Sequence, residues 1–479
     1  MTPQAMMNLV SIAPEVLMTV FGLILVVLDV MTKGEKKSMV GYFGIAFMII
    51  TALISQPAIG GKYLGFGNMV MWDTFSYVFF VIFALAYTLT TLGSVEYLRD
   101  KGILKGEFYT IMFFSIIGMM FMVSAFDLTV FYVGLETMAI SMYVLAGFNK
   151  KCAKSAESGV KYFIIGAFSS GMLLFGMTYV YGATGSMNYL EIAEALKNGA
   201  AENATVKIGL ILMLAGFAFK ISAVPFHMWA PDVYQGAPTP AAGFMTVAPK
   251  AAAFASLVRF VWIALEPVAG LWGTFFSILA VLTMFYGNLV ALSQTNVKRM
   301  LAYSAISHAG YMMIGLVAMN KEGYQAIALY SLIYAFMNIG AFTLLGVLKN
   351  KGMVEDERLE SFAGLAKKNP MYALGMLIFM FSLAGIPPLA GFIGKYMIFM
   401  AAMKAELYWL AVIGALNSAL ACYYYMRVTI YMYFNEPEYE VDATIGRSAF
   451  ITSFIGAVVV LAVGFFPSAF ISFVKHLLV

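Results

Sequence analysis

Four ionisable residues stand inside segments that otherwise read as membrane-buried: Glu136 in FYVGLETMAISMYVLAGF, Lys220 in FAFKISAVPFH, Lys250 in APKAAAF and Lys395 in SLAGIPPLAGFIGKYMIFM. A charge at the centre of a membrane span costs about 2.5–3.5 kcal/mol, so four unrelieved ones would cost on the order of 10 kcal/mol. Each lies several residues inside its apolar run, too deep to snorkel fully to the headgroups. An ion pair between Glu136 and Lys220, pinning two helices, is the structural reading of those two. Pairing cannot account for the set, because three lysines face one deep carboxylate. An amine left without a carboxylate needs water or must release its proton, since desolvation and neighbouring positive charge both favour the neutral form. Amines that gain and lose protons in series form a proton relay.

A second tier of polar residues surrounds these four. His308 lies in LAYSAISHAGYMMIGL with Ser304 and Ser307 beside it, and fits either a hydrogen-bonded packing role or a place in the relay. His227, where the seventh apolar stretch meets one face of the membrane, is expected to bond a freed backbone group. Arg259, nearer the outer end of its span, is read as snorkelling or locking a helix. Asp29, Glu157, Lys161 and Arg427 fall near the cytoplasmic boundary and read as interfacial. Cys152 and Cys422 are far apart and lack metal or redox spacing, so they are read as packing residues.

These side chains need a scaffold of membrane helices. The 479 residues are 62% hydrophobic and 11% charged, too apolar for a fold whose surface meets water. A net charge of +4, spread over loop lysines, lacks the dense basic face that nucleic acid demands. At about 20 apolar residues per span, an all-α polytopic protein of fourteen spans is predicted. They lie near 9–31, 39–56, 74–97, 107–125, 127–148, 156–182, 205–228, 239–265, 271–293, 300–318, 324–348, 371–401, 406–433 and 449–474. The first is read as retained, because it lacks the basic flank of a cleaved signal.

Positive charge tests this count, since it collects on cytoplasmic loops. Seventeen lysines and arginines fall in alternate loops, around positions 33–37, 99–105, 150–154, 298–299, 349–368 and 447. The other loops and the termini hold six: Lys62, Lys197, Lys207, Lys321, Lys404 and Lys475. Both termini are therefore expected on the non-cytoplasmic side. No loop is long enough for a nucleotide, flavin or iron-sulfur domain.

Prolines mark where two of the helices break. Pro225 follows Lys220 by five residues, and Pro387 and Pro388 precede Lys395. Each removes a backbone hydrogen bond, and the freed carbonyls persist in a membrane only inside protein or against a wet cavity. Paired interruptions carrying charged residues resemble the discontinuous helices of ion transporters. Lys220 and Lys395 are 175 residues apart, and Glu136 and His308 are 172 apart, which suggests a repeat of five helices. Five is odd, so the two units must be inverted. The expected divisions are helices 1–3 (1–106), the first repeat of helices 4–8 (107–265), the inverted repeat of helices 9–13 (266–433) and helix 14 (434–479), with helices 7 and 12 discontinuous.

FKISAVPFHMWAPDVYQGAPTPAAGFMTVAPKAAAF, together with the segments around Glu136, His308 and Lys395, resembles the antiporter-like membrane subunits of respiratory complex I, the proton-translocating NADH:quinone oxidoreductase. The opening LVSIAPEVLMTVFGLILVVLDV and the length are most similar to its subunit N branch, and the ending at Val479 lacks the lateral helix expected of the L branch. The resemblance implies that Glu136 is the fifth-helix glutamate and Lys220, Lys250 and Lys395 the lysines of the seventh, eighth and twelfth helices. A lysine at 395 fits N or L over M. It implies proton pumping driven by quinone reduction elsewhere. No cofactor is expected in this chain, and NADH, FMN, iron-sulfur clusters and quinone belong to partner subunits. The partners implied are further antiporter-like subunits, small membrane subunits and the lipid bilayer. The expected location is a bacterial inner membrane, or alternatively an organelle's energy-transducing membrane. An Mrp-type cation/proton antiporter or a membrane-bound hydrogenase subunit shares these helices and lysines. A non-pumping membrane anchor is the rival from a different class, and a stand-alone solute carrier lacks an organic-substrate signature.

Overall fold

A computed structural model describes residues 3–56, 60–350, 357–436, 441–442 and 445–477. Helix dominates, as lipid requires, because backbone groups in a bilayer core must pair within their own segment. The chain opens with α1 (Pro3–Met31), α2 (Ser38–Ser55), α3 (Thr74–Asp100), α4 (Gly106–Ser124), α5 (Leu128–Ala146) and α6 (Ala153–Thr184). A short α7 (Tyr189–Lys197) precedes α8 (Ala204–Lys220), α9 (Trp229–Gly236) and α10 (Thr239–Ile263). Then come α11 (Ala269–Leu292), α12 (Val297–Val317), α13 (Lys321–Val347) and the single turn α14 (Leu365–Lys368). The chain continues through α15 (Pro370–Ala384), α16 (Ala390–Lys404), α17 (Tyr408–Phe434), α18 (Arg447–Phe465) and α19 (Pro467–Leu477). Two antiparallel ribbons are the only strand pairs among the described residues: β1 (Lys62–Gly65) with β2 (Val70–Asp73), and β3 (Lys349–Asn350) with β4 (Val441–Asp442).

Among the described residues, twelve helices are long and apolar enough to cross a membrane: α1 to α6, α10 to α13, α17 and α18. They match twelve of the predicted spans. The seventh and twelfth predicted spans are the exceptions, and both are split. Helix 205–228 stops earlier than predicted, at Lys220, and 371–401 divides between α15 and α16. Lys220 is therefore a helix C-terminus rather than a mid-span residue.

Local chemistry fixes where helices begin. Asp73, Asp127, Asn203, Asn296 and Asn320 each accept a hydrogen bond from a backbone N–H two or three residues on. Such caps contribute about 1 kcal/mol each by satisfying amides that a helix start leaves free. The tight joint at Ala125 to Asp127 holds because Phe126 donates to Met69 and accepts from Tyr189, while Leu128 donates to Met187.

Packing sorts the helices into layers. The spans α10 and α12 are wholly buried and α13 is 94% buried, whereas α1, α2, α6, α17 and α18 are 33–39% buried and face outward. Several helix pairs approach to backbone contact at small residues. A Cβ at Gly134 of α5 would lie 2.7 Å from the Gly118 carbonyl of α4, and one at Gly287 of α11 would lie 2.9 Å from the Ser307 amide of α12. Without a hydrophobic drive between helices in lipid, such close approach supplies the van der Waals contact that holds them.

Arg259 does not snorkel. Its guanidinium lies 2.6 Å from Asp73 and 3.2 Å from the Ser76 hydroxyl, locking α10 to the start of α3. Among the residues read as interfacial, Asp29 pairs with Lys37, Lys161 with Glu157 and Asp232, and Arg427 donates to the Leu292 carbonyl.

Candidate functional site

The four predicted charges are buried to different degrees. Lys220, Lys250 and Lys395 are 8%, 2% and 3% exposed. Glu136 is only half-buried, on a face of α5 shared with the exposed Val133 and Ile140. The Glu136–Lys220 ion pair of the purely structural reading is not formed: Lys220 Nζ and Glu136 Oε1 both lack a hydrogen-bond partner, although Lys220 lies within electrostatic reach of the carboxylate.

Lys220 is the last residue of α8. The last carbonyls of a helix carry partial negative charge, which favours a cation there. Beyond it the break is stitched by Ala223 N–H to the Ala218 carbonyl, Val224 N–H to Thr283 Oγ1 and Trp229 Nε1 to the Phe219 carbonyl. Pro225 sits in this turn, preceded by Ser222 with φ +60 and a buried hydroxyl that has no partner. His227 is also here, its Nδ1 unpartnered, its ring edge-on to Tyr286 at 4.5 Å and its imidazole within hydrogen-bonding reach of the Pro225 backbone, the freed group expected of it.

Lys250 follows Pro249 inside α10 and donates to the Ala305 carbonyl of α12 at 2.5 Å. That carbonyl belongs to the residue after Ser304 in α12. Ser304 hydrogen-bonds the Tyr425 hydroxyl, which lies 3.1 Å from His308 Nε2; His308 Nδ1 lies 2.5 Å from the Tyr330 hydroxyl. Both ring nitrogens thus face groups that can donate or accept. A neutral imidazole so placed takes a proton at one nitrogen and releases one from the other. His308 is within electrostatic reach of both Lys250 and Lys395. Ser307 instead turns back to the Tyr303 carbonyl at 3.3 Å and is brought into helix packing rather than this network.

Lys395 shows why the second break exists. α15 ends at Gly385, whose φ of +87 suits glycine, and Pro387 and Pro388 carry the chain across to α16. The freed Leu383 and Ala384 carbonyls accept from Lys395 Nζ at 3.1 and 2.7 Å, and Ser418 Oγ accepts at 2.9 Å. All three ammonium donors are used. The same Nζ sits 4.9 Å from the centre of the Tyr311 ring, a favourable cation–π placement.

Sequence reasoning missed the hydroxyls. Tyr330 and Tyr425 contact His308 and Ser418 contacts Lys395, and the ring of Tyr334, whose hydroxyl has no partner, is centred 4.9 Å from that of His308. Tyr330 and Tyr334 stand four apart in an apolar span, a spacing that places both on one helix face. That was the available signal. The described residues contain no group of three or more His, Cys, Asp or Glu side chains that could hold a metal. The arrangement can move protons.

Residues 125–421 match the family described as NADH:quinone oxidoreductase/Mrp antiporter, TM. The NADH-quinone oxidoreductase subunit N of Trichlorobacter lovleyi is 44% identical over 98% of this chain and 96% of its own. A chain of respiratory complex I from Thermus thermophilus superposes with a TM-score of 0.80 at 32% identity, covering 96% of this chain and 98% of that one. A chain of the Mrp complex from Dietzia sp. superposes at 0.83 over 100% and 97%, but at 19% identity it shares the fold alone.

Proposed function

The chain belongs to the subunit N family of proton-translocating NADH:quinone oxidoreductases, and from that premise we propose how a proton crosses it. Lys220 is the switch, and the charge of Glu136 controls it. Lys250 takes the proton onward, the hydroxyl and imidazole groups around His308 carry it, and Lys395 is the outlet. NADH, FMN, iron-sulfur clusters and quinone act in partner subunits, and their conformational work reaches this chain through its neighbours. The open α5 face around Glu136 is where a neighbouring antiporter-like subunit docks and shifts that carboxylate.

The observation that carries this reading is the line of polar side chains from Lys250 through Ser304, Tyr425 and His308 toward Lys395, laid across the most deeply buried helices. Replacing Tyr425 by phenylalanine tests it. The ring stays and the hydroxyl joining Ser304 to His308 goes. Losing its two hydrogen bonds, to Ser304 and to His308, at about 0.5–1.5 kcal/mol each, is expected to slow transfer roughly ten- to a hundredfold. The measurement is the number of protons pumped per NADH oxidised by the purified complex in liposomes. An unchanged ratio would show that the hydroxyl route is not used.

Gly385→Ala is expected to act from outside the line. A Cβ there would lie 2.9 Å from Lys395 Cδ and 3.1 Å from its Nζ, on a backbone that disfavours any side chain by about 1–2 kcal/mol. Pumping should fall severalfold and the thermal midpoint of the complex should drop. Retention of both would remove the glycine from the positioning of Lys395.

The membrane topology belongs to the same proposal: fourteen spans, counting α8 with α9 and α15 with α16 as two discontinuous ones, with both termini on the non-cytoplasmic side. Contacts between loops support it. Lys161 and Arg299 meet Asp232, Arg99 meets Glu35 and Lys367 meets Glu436 on the lysine-rich side, while Lys197 meets Glu266 and Lys404 meets Glu322 on the other. An inverted repeat is supported by helix order. The starts of α4, α5, α6, α8, α9 and α10 precede those of α11, α12, α13, α15, α16 and α17 by 161 to 169 residues. The divisions at 1–106, 107–265, 266–433 and 434–479 follow from it. Pro225 and Pro388, 163 apart, hold equivalent places, whereas Lys220 and Lys395 do not. Lys220 ends the first half of its broken helix, and Lys395 lies in the second half of its own. The spacings of 175 and 172 residues between charged groups are therefore not the period of the repeat.

A further inference from the structure

Resting on the relay reading above, we propose that protons reach Lys250 from the cytoplasmic face through a column between α10 and α13, with Phe342 seated on Gly243 as its dry constriction. At the lysine-rich face lies a cavity of about 320 Å³ lined by Tyr97, Ser155, Ala237, Asn296, Lys298 and Glu357. Lys298 and Asn296 both meet Glu357, at 3.0 and 2.7 Å, so the mouth is polar and carries a carboxylate. α10 begins at its floor. Thr239, Gly243, Thr246 and Lys250 are spaced by four, three and four residues and so share one helical face. Opposite them, Gly346, Phe342, Asn338, Tyr334 and Tyr330 descend α13 in steps of four and end at the His308 network.

The two faces meet rung by rung. A Cβ at Gly346 would lie 3.6 Å from Thr239 Cγ2, and one at Gly243 would lie 2.9 Å from Phe342 Cβ. Asn338 Nδ2 donates to Thr246 Oγ1 at 2.6 Å, and that hydroxyl donates to the Gly243 carbonyl at 2.8 Å. Below Phe342 two polar atoms have no partner, Asn338 Oδ1 and the Tyr334 hydroxyl, though both residues are at most 3% exposed. Orphaned groups of this kind are costly to bury, and bridging water removes that cost. Water there places the polar station one turn beneath a single aromatic plug. Eleven residues from Thr239 to Lys250 span about 16 Å at a helical rise of about 1.5 Å, half of a hydrocarbon core about 30 Å thick. Arg259, nine residues beyond Lys250 and paired with Asp73, lines a separate cavity at the outer end of α10, outside the Thr239–Lys250 face. The column therefore opens to one face.

Sided thiol labelling of the intact complex in membrane vesicles tests this. In a background with Cys152→Ser and Cys422→Ser, Asn338→Cys is expected to react with a small, membrane-impermeant cationic methanethiosulfonate added to the cytoplasmic face only. Phe342→Ala should speed that reaction at least tenfold, and Phe342→Trp should slow it. Phe342→Leu supplies the same comparison if the alanine variant assembles poorly. Reaction from the outer face, a rate indifferent to residue 342, or no reaction from the cytoplasmic face even with Phe342→Ala would each overturn the column. Labelling does not depend on pumping, so a failed relay, seen as normal stoichiometry in a lysine variant, is told apart from a failed column.

Discussion

Lys250→Met is expected to stop proton transfer through this subunit while the complex still assembles. Methionine has nearly the length and flexibility of the lysine stem, so the space inside α10 stays filled. The only hydrogen bond removed is the one to the Ala305 carbonyl, which lies inside α12 and retains its own helical partner. A proton, by contrast, loses its one basic group at that depth. Leaving a bare charge in a site 2% exposed costs several kcal/mol. At about 1.4 kcal/mol per tenfold in rate, a penalty of about 4 kcal/mol slows passage roughly a thousandfold. The test is proton pumping by the purified variant in liposomes, alongside native-gel assembly. A normal ratio of protons to electrons would end the relay scheme. Loss of assembly with no change in ratio for the molecules that do assemble would favour the membrane-anchor reading instead.

The second expectation concerns Glu136 and Lys220, and magnitudes decide its form. Lys220→Met should abolish pumping, for the reason just given. Glu136→Gln should be milder. The carboxylate is half-buried and stands outside ion-pair distance of the amine. Even in contact at about 4 Å, two charges interact by only about 4 kcal/mol at an effective dielectric constant of about 20. At the larger separation present here the effect is on the order of 1–3 kcal/mol, or about ten- to a hundredfold in rate. If Glu136 acts only through Lys220, the double variant is no slower than Lys220→Met alone. A double variant slower than either single one would give Glu136 an independent role. An undiminished rate in Glu136→Gln would remove it from the mechanism.

The candidate site was largely legible in the sequence, because its signals are violations of a strong rule. Charges and prolines in apolar spans are expensive, so Glu136, Lys220, Lys250, Lys395 and the two breaks announce themselves without any neighbour being known. Hydroxyls carry no such penalty. Tyr330 and Tyr425 read as ordinary aromatic packing until His308 is placed between them. Ser304 and Ser307 looked alike in the sequence and have different fates, since only Ser304 faces α17.

Length, apolarity and loop charge determined by themselves that the chain crosses a membrane many times, where twelve of its helices run and where two others break. The reason is that lipid offers the backbone no partners, so hydropathy alone nearly dictates helix. Tertiary structure decided what remained. It left Glu136 on an open face rather than paired with Lys220, gave Lys395 three acceptors and Lys250 one, and set the period of the repeat by helix starts rather than by charged residues. Those outcomes depend on which helix faces come together. Side chains of opposite charge or matching polarity meet only if packing brings them within a few ångströms, and residue spacing along the chain does not encode that distance.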